Sequence, residues 1–235
     1  MWKTIRQWLD AAADVVVPRV CPVCHQALDG DERWLCRKCL ASLPRTRYEE
    51  TDFNAMEQLF AGKVPIERAT AYFFYEKGSP YSGILHDIKY HGTPRMGQWL
   101  TARAVNDMAD SRFFDGIDVV TAVPLHHSKL AQRGYNQSRY LARGIAHTLN
   151  IPYIEVLKAV RPHSTQTRKG ALERWQNIQD NYALKNNAHR LSGKHILLVD
   201  DVITTGATLT VCASLLKQIP DASVSLFTLA AARLE

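Results

Sequence analysis

The stretch Lys194–Thr210, KHILLVDDVITTGATLT, constrains the fold more than any other part of the chain. Ile196, Leu197, Leu198 and Val199 form a continuous apolar run, the pattern of a strand buried on both faces of a parallel sheet. The run ends on two adjacent carboxylates, Asp200 and Asp201, where the interior of such a strand would stay apolar. Thr204, Thr205, Gly206, Ala207 and Thr208 follow, and Leu209, Cys212, Ala213, Leu215 and Leu216 then recur at helical spacing. The order is strand, acidic pair, hydroxyl- and glycine-containing turn, helix. In open α/β sheets a ligand lies outside the carboxyl ends of the strands, which is where this turn falls.

Each part of the stretch has a physical use. A turn rich in Thr and Gly at a helix start offers free backbone N–H groups, hydroxyl donors and the positive end of the helix dipole, which together suit a phosphate. Two carboxylates beside a phosphate would repel it. They make sense if they hold sugar hydroxyls, or a Mg²⁺ shared with the ligand. An ordinary strand-to-helix turn with an Asp cap and no ligand is the competing reading. A lone Asp-x-x-Thr would not outweigh it, whereas the whole pattern does.

Four of the five cysteines lie between positions 21 and 39. Cys21-Pro22-Val23-Cys24 and Cys36-Arg37-Lys38-Cys39 are two CxxC pairs separated by eleven residues. Four thiolates presented to one ion suit a tetrahedral Zn²⁺ and leave no open position, so such a metal would be structural. His25 adjoins the first pair and is a further candidate ligand. Disulfides compete with the zinc reading. However, Trp2–Val17 carries Asp10 and Asp14 inside its apolar pattern with no cleavage site after it, so no export signal is read. The chain is therefore expected in the cytoplasm, among reduced thiols. A redox CxxC is disfavoured by the presence of two pairs and the lack of a βαβ context around either.

The same segment carries Arg19, Arg33, Trp34, Arg37, Lys38, Arg45 and Arg47. Basic residues with an aromatic can track a nucleic-acid backbone and stack a base. They suit equally the solvated rim of a very small module with Trp34 as its core. A net charge of +6 favours anionic partners without choosing between small phosphates and nucleic acid. No apolar run approaches the roughly 20 residues of a membrane span.

Residues 1–47 read as an amphipathic helix, Trp2–Val17, followed by the four-cysteine module. Residues 48–68, mixed in charge and poor in periodicity, read as a linker, and 69–235 as an α/β domain. Within that domain Ala69–Tyr75, Asp118–Val123, Tyr153–Val160 and Ala222–Ala232 read as strands. Pro80–His91, Arg95–Ala109 and Asn136–Leu149 read as helices. Pro124 stops the second strand, and the loop LHHSKLAQRGYNQS brings His126, His127, Lys129 and Arg133 to the sheet edge. Positive charge there suits a pyrophosphate, although Arg133 alone would read as a cap or the partner of an acid. The polar, basic stretch Arg161–Asn177 reads either as a loop able to close over an anion or as a flexible surface hairpin.

The pattern VDDVITTGAT resembles the binding motif of the type I phosphoribosyltransferases. Together with the four-cysteine module, the block HDIKY, the block VPLH with RGYNQS, and TQ with RWQN downstream, it makes the chain from about Pro18 onward similar to the ComF family. Members of that family are competence-associated, phosphoribosyltransferase-like proteins of bacteria. The resemblance implies an α/β fold: a type I phosphoribosyltransferase-like parallel sheet flanked by helices, preceded by a small zinc-binding module held by Cys21, Cys24, Cys36 and Cys39. It implies that Asp200 and Asp201 hold the ribose 2′- and 3′-hydroxyls of phosphoribosyl pyrophosphate (PRPP), and that Thr204, Thr205, Gly206, Ala207 and Thr208 hold its 5′-phosphate. Lys89, Arg133, Gly134, Asn136 and Gln137 lie in matching blocks and would line the rest of the site, with Lys89 and Arg133 joining Asp200 and Asp201 as catalytic candidates. His25 departs from the pattern, because a Gly is usual after the first cysteine pair of such a knuckle.

The reaction implied is displacement of pyrophosphate at C1 of the ribose through an oxocarbenium-like transition state. Mg²⁺ and Arg133 would offset pyrophosphate charge while the acidic pair holds the sugar. The acceptor would be a nucleobase or related amine. The alternatives are a PRPP- or single-stranded-DNA-binding accessory protein of competence that transfers nothing, acting with competence proteins, and a regulator that senses PRPP. Oligomeric state is not legible in the sequence.

Overall fold

A computed structural model describes residues 19–160 and 180–233. The expected helix Trp2–Val17 and the basic stretch 161–177 lie outside the described residues. The strands are β1 (Ala69–Tyr75), β2 (Val119–Ala122), β3 (Leu157–Ala159), β4 (Tyr182–Leu184), β5 (His195–Ile203) and β6 (Ser223–Ala232). Four of them form an all-parallel sheet in the order β1-β6-β5-β2, and β3 pairs with β4 in a separate antiparallel ladder.

The unbroken apolar run of β5 is explained by what covers it. Leu197 and Val199, with Phe227 and Leu229 of β6, pack among the buried residues of α3 (Ser82–Tyr90), α4 (Pro94–Asp107) and α6 (Gln137–Leu149). Ile196 and Leu198, with Val224 and Leu226, pack on the opposite side against α7 (Ala207–Leu216) and against Met56 and Phe60. A strand covered on both faces has no polar side to show.

Two close approaches fix the first layer. A methyl group at Gly144 of α6 would overlap Thr101 Oγ1 and the Gln98 carbonyl of α4, so the helices meet backbone to backbone there. Thr101 Oγ1 also donates to the Leu141 carbonyl at 2.9 Å. The cysteine module, which contains α1 (Arg37–Ala41), joins the same core, since Cys21, Cys36 and Cys39 cluster with Tyr72, Phe73 and Ile84.

Several elements differ from the sequence expectation. The acidic pair does not end the strand: β5 runs through Asp200 and Asp201 to Ile203, paired with β6 as far as Ala231. Residues 48–68 pack rather than link. They form a short turn at Tyr48–Glu50 and α2 (Ala55–Gln58), which buries Met56 and Phe60 against the sheet. Asn54 and Glu57 cap α2 reciprocally, and Asn54 Nδ2 donates to the Ala69 carbonyl. Elements this short carry too few turns for periodicity to register. The basic loop after β2 contains α5 (His127–Arg133), capped by His126, whose ring nitrogen accepts from the Ser128 N–H. Tyr153–Val160 is not one strand. Tyr153 makes a single parallel bridge to Val120, and the chain then leaves the sheet to form β3. Among the described residues no helix is long and apolar enough to cross a membrane.

Gly144→Ala is expected to cost about 1–3 kcal/mol by overpacking the α4–α6 contact. It should be read as a lower urea midpoint at constant m-value. An unchanged midpoint would contradict the close approach.

Candidate functional site

β2 ends before β5 does. The last paired positions are Ala122 and Val199, Val123 N–H donates to the Val199 carbonyl, and Pro124 has no N–H to continue the ladder. Beyond that point β5 keeps β6 on one side and, among the described residues, has no strand on the other, and Asp200 and Asp201 stand at this opening. Asn136 anchors what fills it. Its side chain caps α6 by accepting from Ser138 N, and its Nδ2 donates to the Val123 carbonyl at 3.0 Å. The start of α6 is thereby tied to the end of β2.

This anchor places two donors on the acids. Ser138 Oγ donates to Asp200 Oδ1 at 2.8 Å, and Gln137 Nε2 donates to Asp201 Oδ2 at 3.1 Å. Lys89, near the end of α3, reaches the same Asp201 oxygen at 3.1 Å. Arg133 Nη1 donates to Gln137 Oε1 at 2.9 Å, and its guanidinium lies over the Tyr90 ring at 5.0 Å. Gly134 ends α5 at φ 79°. A continuous chain of contacts therefore runs Tyr90–Arg133–Gln137–Asp201–Lys89.

The pair is electrostatically uneven. Burial of the carboxyl group, then the charge of Asp201, pushes Asp200 up to about 7, against the pull of Ser138, the Asp201 N–H and Lys89. Lys89, Lys129, Arg133 and Thr208 share with both acids a cavity of about 180 Å³. Two carboxylates and three cations thus line one small space.

The turn after β5 has the form expected of an anion seat. Gly206 precedes α7 at φ 75°, a left-handed conformation that favours glycine, and no side chain caps the helix. The N–H groups of its first turn have no helical partners. Thr204 and Thr205 are exposed, and Thr208 lies beside the buried Tyr182 phenol. Thr204 faces a different space, a cavity of about 820 Å³ walled by Pro22 and His25 of the cysteine module and by Gly83, His86 and Tyr90 of α3. Lys89 lines both cavities. The structure therefore brings Asp200, Asp201, Lys89, Arg133 and Thr208 together and sets Thr204 at the neighbouring mouth, with Thr205, Gly206 and Ala207 forming the turn between.

The four cysteines converge as well, with sulfur atoms all within 4.8 Å of one another. Cys24 and Cys36 Sγ are 3.7 Å apart, close to the ~3.8 Å edge of a tetrahedron with Zn–S bonds of about 2.3 Å. Burial opposes a thiolate at Cys21, but backbone N–H groups outweigh it and lower the thiol to about 7. Burial, then the neighbouring thiols, pushes Cys39 up. Four sulfurs this close cannot all ionise without a cation among them, so the cluster fits a bound metal. His25 takes φ 58° after the first pair, which is the conformation a Gly would adopt with ease. Trp34 is partly buried against the core. Arg37 holds Asp31, Arg45 holds Glu49 and Asp107, and Arg47 holds Glu50.

Sequence reasoning missed Ser138 and Tyr182. Ser138 was legible only as the last residue of RGYNQS, and nothing around Tyr182 marked it.

A model of the phosphoribosyl transferase domain matches residues 136–234. Competence protein F of Haemophilus influenzae is 33% identical over 116 residues, 49% of this chain and 51% of that protein. The DNA utilization protein YhgH of Escherichia coli K12 is 26% identical over 214 residues, 89% of each chain. Competence protein ComFC of Bacillus subtilis is 35% identical over 112 residues, 47% of this chain and 43% of that protein. The matches thus cover about half the length of the two competence proteins and most of YhgH. The matched residues 136–234 carry α6, the acid-bearing central strand β5, α7 and β6 of the parallel sheet. The chain is similar to that domain there, and to the named competence and DNA utilization proteins over the shares given.

Asp200 holds its proton more tightly folded than unfolded, so the folded state loses relative stability as pH rises from about 4 towards 7. Asp200→Asn removes that loss. It is expected to raise the thermal midpoint relative to the wild type at pH 8, by about 2–4 °C for each kcal/mol recovered, and less at pH 5. An equal shift at both pH values would contradict the charge conflict.

Proposed function

We propose that the chain binds PRPP with Mg²⁺ at the opening beyond β2 and transfers its phosphoribosyl group to an acceptor in the 820 Å³ cavity. The observation that carries this reading is the juxtaposition of the two acids with the uncapped start of α7 and three cations. Asp200 and Asp201 accept hydrogen bonds from the ribose hydroxyls. Thr204, Thr205, Gly206, Ala207 and Thr208 hold the 5′-phosphate through backbone N–H groups and hydroxyls. Lys89, Lys129 and Arg133 meet the pyrophosphate, with Lys89 exchanging its contact with Asp201 for the ligand. The bond from C1 to pyrophosphate breaks ahead of bond formation to the acceptor. The acids support the positive charge that develops on the sugar, and the cations support the departing anion. Mg²⁺, when bound, supplies charge neutralisation at the pyrophosphate.

In the cysteine cluster Cys21, Cys24, Cys36 and Cys39, whose sulfurs converge, would hold a structural Zn²⁺. Arg37, Arg45 and Arg47 of that segment already hold acids, so a nucleic-acid partner there would have to displace those pairs or engage the other basic residues. The relatives' names, competence protein and DNA utilization protein, support a role in DNA uptake, in the cytoplasm, with single-stranded DNA or competence proteins as partners. A PRPP-binding accessory without transfer would share the same pocket and differ only in consuming no PRPP.

Calorimetry with PRPP and Mg²⁺ tests the pocket. Binding should be lost or weakened at least tenfold in Asp200→Asn/Asp201→Asn, and equal affinity in the two proteins would overturn it. Cys36→Ser is expected to abolish zinc retention and lower the thermal midpoint, because Cys21, Cys36 and Cys39 belong to the core beside Tyr72. Full zinc content in that variant would contradict the four-thiolate site.

A further inference from the structure

HDIKYH supplies more than Lys89. His86 and Asp87 lie on the outer part of α3, and His91 closes that helix at φ −99° and ψ 19°. The cap folds His91 back over the last turn, so its Nδ1 meets Asp87 Oδ1 at 2.7 Å and its ring stands 4.7 Å from the His86 ring. One ligand atom from each of the three residues lies within 4.8 Å of the others, and all three line the 820 Å³ cavity opposite Thr204. None of them contacts the acidic pair.

We propose that His86, Asp87 and His91 form a second metal site, for a divalent transition ion such as Zn²⁺ or Co²⁺, with open coordination positions facing the cavity. Two borderline imidazoles and one hard carboxylate make a set that suits such ions and, unlike four thiolates, leaves room for a further donor. The three ligand atoms lie within 4.8 Å of one another, against the ~3.3 Å edge of a tetrahedron with bonds of about 2.05 Å, and rotation of the exposed His86 and His91 side chains adjusts them to it. Asp87 can ligate directly, or it can hold His91 through Nδ1 and leave Nε2 for the metal, the usual support given to an imidazole ligand. An ion here would take an anionic oxygen or a ring nitrogen from whatever occupies the cavity. The site stands whether or not PRPP is the ligand of the acidic pair.

The test is titration of the full chain, its cysteine cluster loaded with Zn²⁺, with Co²⁺. The readout is visible d–d absorption without a thiolate-to-metal charge-transfer band. The wild type should bind a further ion under these conditions. His86→Ala/His91→Ala should bind it at least tenfold more weakly, with no change in the thermal midpoint of the zinc-loaded chain before Co²⁺ is added, since both rings are exposed. Asp200→Asn/Asp201→Asn should retain it. Absence of the further ion in the wild type would overturn the site, as would equal affinity in the histidine variant or loss in the aspartate variant.

Discussion

Two adjacent carboxylates held where a neighbouring strand has ended set the terms for everything around them. A lone charge in such a position carries a desolvation cost of several kcal/mol, and a second like charge adds to it. Lys89 and Gln137 answer Asp201, while Ser138 and a backbone N–H answer Asp200. The compensation is incomplete, since burial and the charge of Asp201 still push the Asp200 carboxyl well above the usual carboxylate range. The free protein therefore retains an electrostatic mismatch that a ligand bringing hydroxyl donors and a divalent cation would relieve.

The rest of the fold serves to keep that opening in place. Asn136 ties the start of α6 to the last residue of the β2 ladder, so the donors on α6 cannot drift from the acids. The close meeting of α4 and α6 at Gly144 fixes that helix in turn. On the far side Phe60, just past α2, lies in contact distance of where a Gly206 side chain would begin, so that segment supports the turn before α7 from beneath. The cysteine module is part of this assembly. Its thiols share a core with β1 and α3, and its Pro22 and His25 wall the larger cavity. A metal that organises the module would shape the cavity as well.

Much of this was legible in the sequence, and the exceptions have physical causes. The run ILLV with its acidic pair identified a doubly covered strand, because burial on both faces leaves no polar alternation. The two CxxC pairs identified the convergent cysteine cluster, because two such pairs joined by a short loop bring four thiols to one place. The packed character of 48–68 was hidden, because Met56, Phe60 and Val64 anchor elements of a single turn and generate no period. Helix α5 was hidden inside a basic loop for the same reason. That the strand continues through Asp200 depends on β6 extending further than β2, a property of register that no local pattern carries. Ser138 looked like an ordinary helix-start residue, and its contact with Asp200 exists only because two elements 62 positions apart meet.

The most direct measurement is a carboxyl-carbon NMR titration of Asp200 in the free protein and again with saturating Mg²⁺ and PRPP. A strained pair that awaits a cationic ligand predicts a midpoint near 7 in the free protein, falling by about one unit or more once the ligand binds. A midpoint near the ordinary value of about 4, unmoved by ligand, would contradict it.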